Sequence, residues 1–327
     1  MYERFFGLKE LPFGLTPNTH FFLNSETHQQ ALDMLLWALQ HKEGFIKVTG
    51  EVGTGKTLLC RKLLNALDAP FVTAYLPNPY FSAETLYCLV AEELASYADD
   101  MADDMPSEDG PSGAAESLPA SQSKERHVLA LQQIQQTLLK LAKANKQVVL
   151  VIDEAQAMPE ETIEALRLLT NLETESEKLL QIVLFGQPEL DTLLAKQHLR
   201  QLKQRITFQH QLKPLQRKDI EHYISHRMIL AGYDGGRLFE AKAIGLLCRA
   251  SKGIPRLVNI LCHKALMSAF GEGQKVIQAK HMLAAIRDTE SVSLSWRERC
   301  ASAFFLLCLS PLVLNEWLAS TVSGVWL

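Results

Sequence analysis

The stretch GFIKVTGEVGTGKTLLCRKLLNAL at residues 44–67 decides the fold of this chain. It opens with a short apolar run typical of a buried strand and closes with the apolar spacing of a helix. Between them, GEVGTGKT at residues 50–57 matches the GxxxxGK[ST] pattern, in which backbone N–H groups and a helix N-terminus surround phosphates. The sequence therefore predicts a nucleotide phosphate site between a strand and a helix.

The chemistry of this loop follows from its residue types. Glycines let the backbone wrap closely, Lys56 places a positive charge on the β- and γ-phosphates, and the Thr57 hydroxyl can ligate Mg²⁺. The predicted cofactors are therefore ATP and Mg²⁺. The residues assigned to nucleotide binding in the loop are Gly50, Glu51, Val52, Gly53, Thr54, Gly55, Lys56 and Thr57.

Strand and helix patterns alternate around the loop. Strands are predicted at 44–50, 71–76, 147–153 and 179–186, and helices at 26–40, 57–67, 84–96, 127–144 and 160–171. This alternation predicts an α/β fold with a parallel sheet flanked by helices. After Pro214 the patterns are only helical. The chain is therefore divided into an α/β nucleotide-binding domain at 1–212 and a small all-α lid domain at 213–290.

Two acidic residues end the apolar run VVLVIDE. Asp153 is predicted to hold Mg²⁺ beside Thr57, and Glu154 to polarise the attacking water. The motif GQPEL closes the next strand, so Gln187 is expected to emerge near Asp153 and to orient that water. These residues predict an ATPase site.

Three arginines extend the predicted site. Arg205 in LKQRI is the candidate arginine finger, which would reach the γ-phosphate bound by a neighbouring subunit, and Arg200 is its rival. Arg256 in GIPRLVN opens a helix of the predicted lid, where it could touch ATP and report closure. Solvent-exposed surface roles for these arginines stay open at this point.

The chain resembles the AAA+ ATPases of the general secretion pathway protein A family. The resemblance is carried by YERFFGLKELPFGLTPNTHFFL, GEVGTGKT, VVLVIDEAQ, IVLFGQPEL, LKQRI and GIPRLVN, in order from Tyr2 to about Ile286. It implies ATP hydrolysis, homo-oligomers such as rings, and a role in building a secretion or pilus machine. The short length is similar to members that serve MSHA-pilus biogenesis. Longer members add a periplasmic peptidoglycan-binding domain that this sequence does not include.

The charge balance and the cysteine spacing argue against other classes of protein. The 327 residues carry 33 basic and 37 acidic side chains, a net charge of −4, so coating nucleic acid by charge alone is not expected. The six cysteines show no CxxC spacing, and the N-terminus lacks a signal peptide's apolar run, so a cytoplasmic protein is predicted.

Two segments depart from the globular pattern. Residues 97–125 are acidic and rich in Pro, Ser and Gly, which predicts a disordered insert; partner binding by this insert is the alternative. The apolar tail at 291–327 contains a run of 15 uncharged residues at 300–314, short of the ~20 that a spanning helix needs. Either this tail tethers the protein to the inner membrane or it packs on protein.

A DNA-binding regulator of the transposition or replication-initiator type is the alternative function. The segment from Lys196 to Lys218 carries seven basic residues and no acid, although no recognition-helix signature follows Asp288. A third hypothesis is a scaffold that binds ATP without meaningful turnover. Nucleic acid is therefore not the expected partner, but the sequence leaves all three functions open.

Overall fold

The computed structural model describes residues 2–16, 18–23, 25–102, 123–173 and 178–292. The strands are β1 (Phe45–Gly50), β2 (Phe71–Leu76), β3 (Gln147–Ile152), β4 (Leu180–Gly186) and β5 (Phe208–Leu212). The helices are α1 (Tyr2–Phe6), α2 (Glu26–Gln40), α3 (Lys56–Ala66), α4 (Ala83–Ala102), α5 (Ser123–Lys143), α6 (Glu160–Leu169), α7 (Glu189–Leu194), α8 (Arg200–Arg205), α9 (Arg217–Leu230), α10 (Ala241–Ser251), α11 (Pro255–Gly271) and α12 (Ala279–Arg287).

The strands form one parallel sheet in the order β2-β3-β4-β1-β5. Alternate residues of the strands point to opposite faces, and each face is covered by helices. Ile46 and Val48 pack with α2 and α3, whereas Leu150 and Ile152 pack with α4, α5 and α6. The four predicted strands and the α/β fold class are confirmed.

Strand β5 was not predicted from the sequence. It pairs with β1 at the edge of the sheet; its residues FQHQ alternate between partly buried and exposed positions, and only Leu212 of this strand is buried. An edge strand has a neighbour on one side only and needs little apolar sequence. Its pattern is therefore much weaker than those of β1 and β4, which are buried along their whole length.

The sheet order decides where the site lies. The carboxyl ends of β1, β3 and β4 meet at one edge because all strands run parallel, and this edge is where ligands of open α/β sheets bind. Strand β4 lies between β1 and β3, so the phosphate loop after β1 and the acidic pair after β3 are not on adjacent strands. Side chains of the phosphate loop and of the acidic pair can therefore meet only by reaching across the end of β4.

Helices α9 to α12 form a second core, as the helical patterns after Pro214 predicted. The N-terminal segment, residues 2–16 and 18–21, also packs in this helical domain. The sequence placed it in the α/β domain at 1–212. Tyr2 and Phe13 are buried in the helical core, and the Arg227 side chain donates to the Pro12 carbonyl at 2.6 Å. The domain boundary at the N-terminus was therefore wrong.

The disorder predicted for the insert at 97–125 is wrong for both of its ends. Helix α4 runs to Ala102 and α5 starts at Ser123, so the flanks are helical. Residues 103–122 and the tail from 293 onward lie outside the described residues, and with them most of the insert and the candidate membrane anchor. Within the described ranges, no helix combines the length and apolar character needed to cross a bilayer.

Candidate nucleotide site

The phosphate loop links the end of β1 to the first residue of α3. Gly53 and Gly55 adopt positive φ angles of 82° and 98°, a conformation that side chains other than glycine rarely adopt. The Thr54 hydroxyl donates to the Glu51 carbonyl at 2.8 Å and closes the turn. The GxxxxGK pattern thus folds locally because its glycines permit left-handed backbone at two of its positions.

Lys56 lies at the start of α3 and its side chain folds back over the loop. Its Nζ donates to the carbonyls of Gly50 at 2.8 Å and of Glu51 at 3.0 Å, and the side chain is only 4% exposed. Burial lowers the pKa of Lys56, and the nearby carboxylates of Glu154 and Asp153 oppose that shift. A partly desolvated cation of this kind favours an anionic ligand.

Thr57 and Asp153 meet across the end of β4. The Asp153 carboxylate accepts a hydrogen bond from Thr57, and its Oδ1 accepts another from the Glu154 backbone at 2.9 Å. Burial raises the pKa of Asp153, whereas the Thr57 hydrogen bond lowers it. Two oxygen-bearing side chains thus lie beside the loop, and oxygen is the donor type that Mg²⁺ prefers.

Glu154 forms a compact cluster with two glutamines. Its backbone is left-handed, with φ 52°, at the point where β3 gives way to a short 3₁₀ turn. Its Oε2 accepts from Gln156 Nε2 at 2.6 Å and from Gln187 Nε2 at 3.2 Å. Gln156 Oε1 in turn accepts from the Gln187 backbone at 2.9 Å. The structure thus brings Glu154 and Gln187 together.

Sequence reasoning missed Gln156 as a neighbour of Glu154, and it missed His28, whose Nε2 lies 2.9 Å from the Thr54 carbonyl of the loop. Gln156 belongs to the quoted motif VVLVIDEAQ, but nothing in its spacing marks it as a partner of both Glu154 and Gln187. His28 lies on α2 at helical spacing with buried residues such as Ala31 and Leu35. A histidine within this apolar stripe is the signal that could have found it.

The helical domain touches the loop through the start of α11. The Arg256 backbone N–H donates to the Gly53 carbonyl at 3.2 Å. The stem of Arg256 passes so close that a Cβ added to Gly53 would lie 2.6 Å from the Arg256 Cβ. The structure thus places Arg256 directly beside the phosphate loop.

The two finger candidates differ in their surroundings. Arg205 ends α8, is partly buried, and donates from Nη1 to the Thr170 hydroxyl at 2.7 Å. Arg200, at the start of the same helix, is exposed. The hydrogen bond of Arg205 ties α8 to the end of α6 rather than to the phosphate loop of its own chain.

Comparisons with known proteins agree with this geometry. An AAA domain family model matches residues 39–194. A general secretion pathway protein A from Aeromonas hydrophila is 40% identical over 286 residues, which cover 87% of this chain. The chain spans only 48% of the length of that relative.

Solved structures share the fold at low sequence identity. An ORC2 protein of Aeropyrum pernix, solved as ADPNP-ADP complexes, is similar with a TM-score of 0.53 and 15% identity, over 86% of this chain and 74% of that one. An ORC1 protein of Aeropyrum pernix, solved in complex with DNA, is similar with a TM-score of 0.54 and 16% identity, over 84% and 68%. At this identity the likeness establishes the fold alone.

Proposed function

Because the chain contains an AAA domain and is homologous to general secretion pathway protein A over most of its own length, we propose that it binds Mg²⁺ and ATP and hydrolyses the nucleotide. The observation that carries the proposal is the geometry at the carboxyl edge of the sheet, where Lys56 folds over the phosphate loop and Glu154 is bonded to Gln187. This edge brings the phosphate-binding and acidic ends of the site together across the intervening strand. Phosphoryl transfer depends on such positioning and on compensation of charge.

Nucleotide binding is assigned to the phosphate loop and the start of α3. The backbone N–H groups of residues 50–57 and the helix N-terminus favour phosphate oxygens. Lys56 exchanges its bonds to the Gly50 and Glu51 carbonyls for bonds to phosphate, so the ammonium gains anionic acceptors in a partly desolvated place. Arg256, at the start of α11, lies where it can add a second positive charge above the loop.

The oxygens of Thr57 and Asp153 fit a divalent cation. The hydrogen bond between them supports a shared ligand position, and Mg²⁺ prefers such oxygen ligands with few protein side chains. When bound, the ion would offset the negative charge of the phosphates. The hydrogen bond from the Glu154 backbone keeps the Asp153 carboxylate in that orientation.

Glu154 is the proposed general base. Both glutamines donate to its Oε2, so Oε1 takes no part in those bonds and can accept the proton of the attacking water. Gln187 also lies where it can orient the water, since its amide already reaches the Glu154 carboxylate. The glutamine pair holds the carboxylate in one position, so the base does not have to be ordered during turnover.

Variants of Lys56 and Glu154 test the proposal. Lys56→Ala should abolish tight binding of a fluorescent ATP analogue. Glu154→Gln should bind it normally but hydrolyse ATP roughly 10²–10⁴-fold more slowly, the usual contribution of a general base. Glu160→Gln removes a carboxylate paired with Lys196 away from this cluster and should retain wild-type turnover. Normal turnover by Glu154→Gln would contradict its role as base, and binding without turnover by the wild type would favour the scaffold hypothesis.

We further propose that the ATPase serves a secretion or MSHA-type pilus machine as a homo-oligomer, with Arg205 as the finger. The 40% identity to general secretion pathway protein A supports the secretion role. A cytoplasmic location with a tether through residues 300–327 is part of the same proposal. Fractionation of the full chain and of a chain ending at Ser295 tests it, since only the full chain should enter the membrane fraction.

DNA-linked function is the second candidate. Two observations favour it: the fold is shared with an ORC1 protein solved in complex with DNA, and five basic residues are exposed. These residues are Arg200, Lys203, Lys213, Arg217 and Lys218. Lys196 of the same stretch is paired with Glu160, which reduces the free positive charge. Duplex DNA should leave the ATPase rate unchanged if the secretion proposal is right, and salt-sensitive stimulation would favour this candidate instead.

A further inference from the structure

A buried pair of side chains lies beneath the phosphate loop. The Ser25 hydroxyl is 2.6 Å from Nδ1 of His28, and Nε2 of His28 is 2.9 Å from the Thr54 carbonyl. Ser25 and His28 are 9% and 5% exposed. A chain of two hydrogen bonds therefore runs from the start of α2 into the loop.

The partners fix the state of the imidazole. A carbonyl oxygen can only accept, so Nε2 must carry the hydrogen that is donated to Thr54. In the neutral ring Nδ1 is then an acceptor, and it receives the Ser25 hydroxyl hydrogen. Burial also lowers the pKa of His28, which favours this neutral form. Each polar atom of the ring thus has one defined partner.

The bond to Thr54 controls the direction of the next N–H group. Thr54 C=O and Gly55 N–H belong to one planar trans peptide, in which the two bonds point in opposite directions. Holding the carbonyl toward His28 therefore turns the Gly55 N–H away from α2, to the side on which a phosphate loop meets its ligand. The approach is so close that a Cβ on Gly55 would lie 3.0 Å from Nε2.

The pair also sits where the N-terminal segment leaves the helical core. Phe21 is buried in that core with the Arg227 guanidinium 4.9 Å from its ring centroid. The next residue, Phe22, meets the His28 ring edge-on at 5.5 Å. The Ser25 backbone N–H donates to the Leu23 carbonyl at 2.8 Å. His28 therefore contacts Phe22, the residue next to the Phe21 that is anchored in the helical domain, and it also contacts Thr54 of the phosphate loop.

We propose that His28 is a positioning residue for nucleotide binding, which orients the Thr54–Gly55 peptide and is itself oriented by Ser25. The inference rests on the proposed nucleotide site and adds to it a residue outside the GxxxxGK[ST] motif. Its consequence is that part of the affinity for the nucleotide phosphates depends on α2 and on the N-terminal segment.

Affinity measurements on the full chain test this role. His28→Ala should bind Mg-ATP and Mg-ADP roughly tenfold more weakly, because a fixed N–H donor to phosphate is lost in both cases. His28→Gln should recover most of that loss, since its amide N–H can donate to Thr54 and its carbonyl can accept from Ser25. Ser25→Ala should weaken binding less than His28→Ala, because the imidazole remains but its tautomer is released.

His281→Ala is the matched control, because His281 is also buried but belongs to the capping box of α12. It should lower the melting temperature and keep wild-type affinity. Wild-type affinity in a folded His28→Ala protein would overturn the proposal, as would a His28→Gln protein that binds as weakly as His28→Ala. If His28→Ala does not fold, unchanged affinity in Ser25→Ala supports a merely structural role and overturns the proposal. A wild-type chain that binds no nucleotide would instead refute the proposed function.

Discussion

Gly53→Ala is the substitution that most directly tests the contact between the helical domain and the phosphate loop. Gly53 has φ 82°, and an added Cβ would lie 2.6 Å from the Arg256 Cβ and 3.2 Å from Cγ2 of Ile254. Ordinary carbon contacts begin near 3.5 Å, so the start of α11 must move by about 1 Å. The methyl group collides with the helical domain, so its effect on affinity reports on this contact.

The expected cost has two parts. Left-handed backbone at a residue with a Cβ costs about 1 kcal/mol. Displacing α11 also removes the hydrogen bond from the Arg256 N–H to the Gly53 carbonyl, for about 1 kcal/mol more. We therefore expect Gly53→Ala to lower the free energy of unfolding by roughly 2 kcal/mol. Affinity for Mg-ATP should fall about fivefold, which corresponds to the second part alone.

Gly273→Ala provides the matched control. Gly273 also has a positive φ, 65°, but an added Cβ would meet nothing within 4 Å. It should therefore show only the backbone cost of about 1 kcal/mol and keep wild-type affinity. Urea unfolding and titration with a fluorescent ATP analogue measure both quantities. Equal losses of stability in the two variants, with unchanged affinity in Gly53→Ala, would refute the contact between helical domain and loop.

Three further outcomes are expected. Gln156→Ala should lower kcat roughly tenfold with little change in KM. It removes a hydrogen bond that holds the Glu154 carboxylate and leaves the phosphate loop unchanged. Equal changes in kcat and KM would contradict this expectation. Arg205→Ala should lower turnover by roughly 10³-fold at concentrations where the chain oligomerises. Thr170→Ala breaks the same hydrogen bond and should only lower stability. Equal turnover in the two variants would exclude Arg205 as the arginine finger. Burial lowers the pKa of His28, so the unfolded chain binds its proton first as the pH falls below about 6.5. Stability should therefore drop on acidification, and less steeply in His28→Gln; equal slopes in thermal melts would contradict this.

The phosphate loop and the buried strands could be predicted because their physical requirements appear in contiguous sequence. A strand covered on both faces needs an unbroken apolar run, and QVVLVI at β3 is one. Gly53 and Gly55 stand at the two loop positions where the backbone is left-handed. In these stretches the local sequence pattern matches the environment of the residues in the folded chain, so the structure of the loop and strands can be predicted from sequence.

The N-terminal segment could not be placed in this way. Its apolar residues Tyr2, Phe6 and Phe13 show that the segment is buried, but not against which core. That choice depends on partners far along the chain, such as Arg227 for the Pro12 carbonyl and His263 for the Tyr2 hydroxyl, which is 2.8 Å from its Nδ1. Apolar burial is non-directional, so an apolar pattern in the sequence does not indicate which core a segment will join.

Two routes connect the helical domain to the phosphate loop, and they end on neighbouring carbonyls. The start of α11 holds the Gly53 carbonyl directly, and the N-terminal segment reaches the Thr54 carbonyl through His28. The two carbonyls belong to consecutive residues of one short loop, so both contacts act on the same few φ and ψ angles. The two contacts therefore constrain one piece of backbone, and loss of both should cost less affinity than the sum of the separate losses. A loop held in this way responds to the position of the helical domain as a unit, which is what an ATPase needs if nucleotide state and domain position are to control each other.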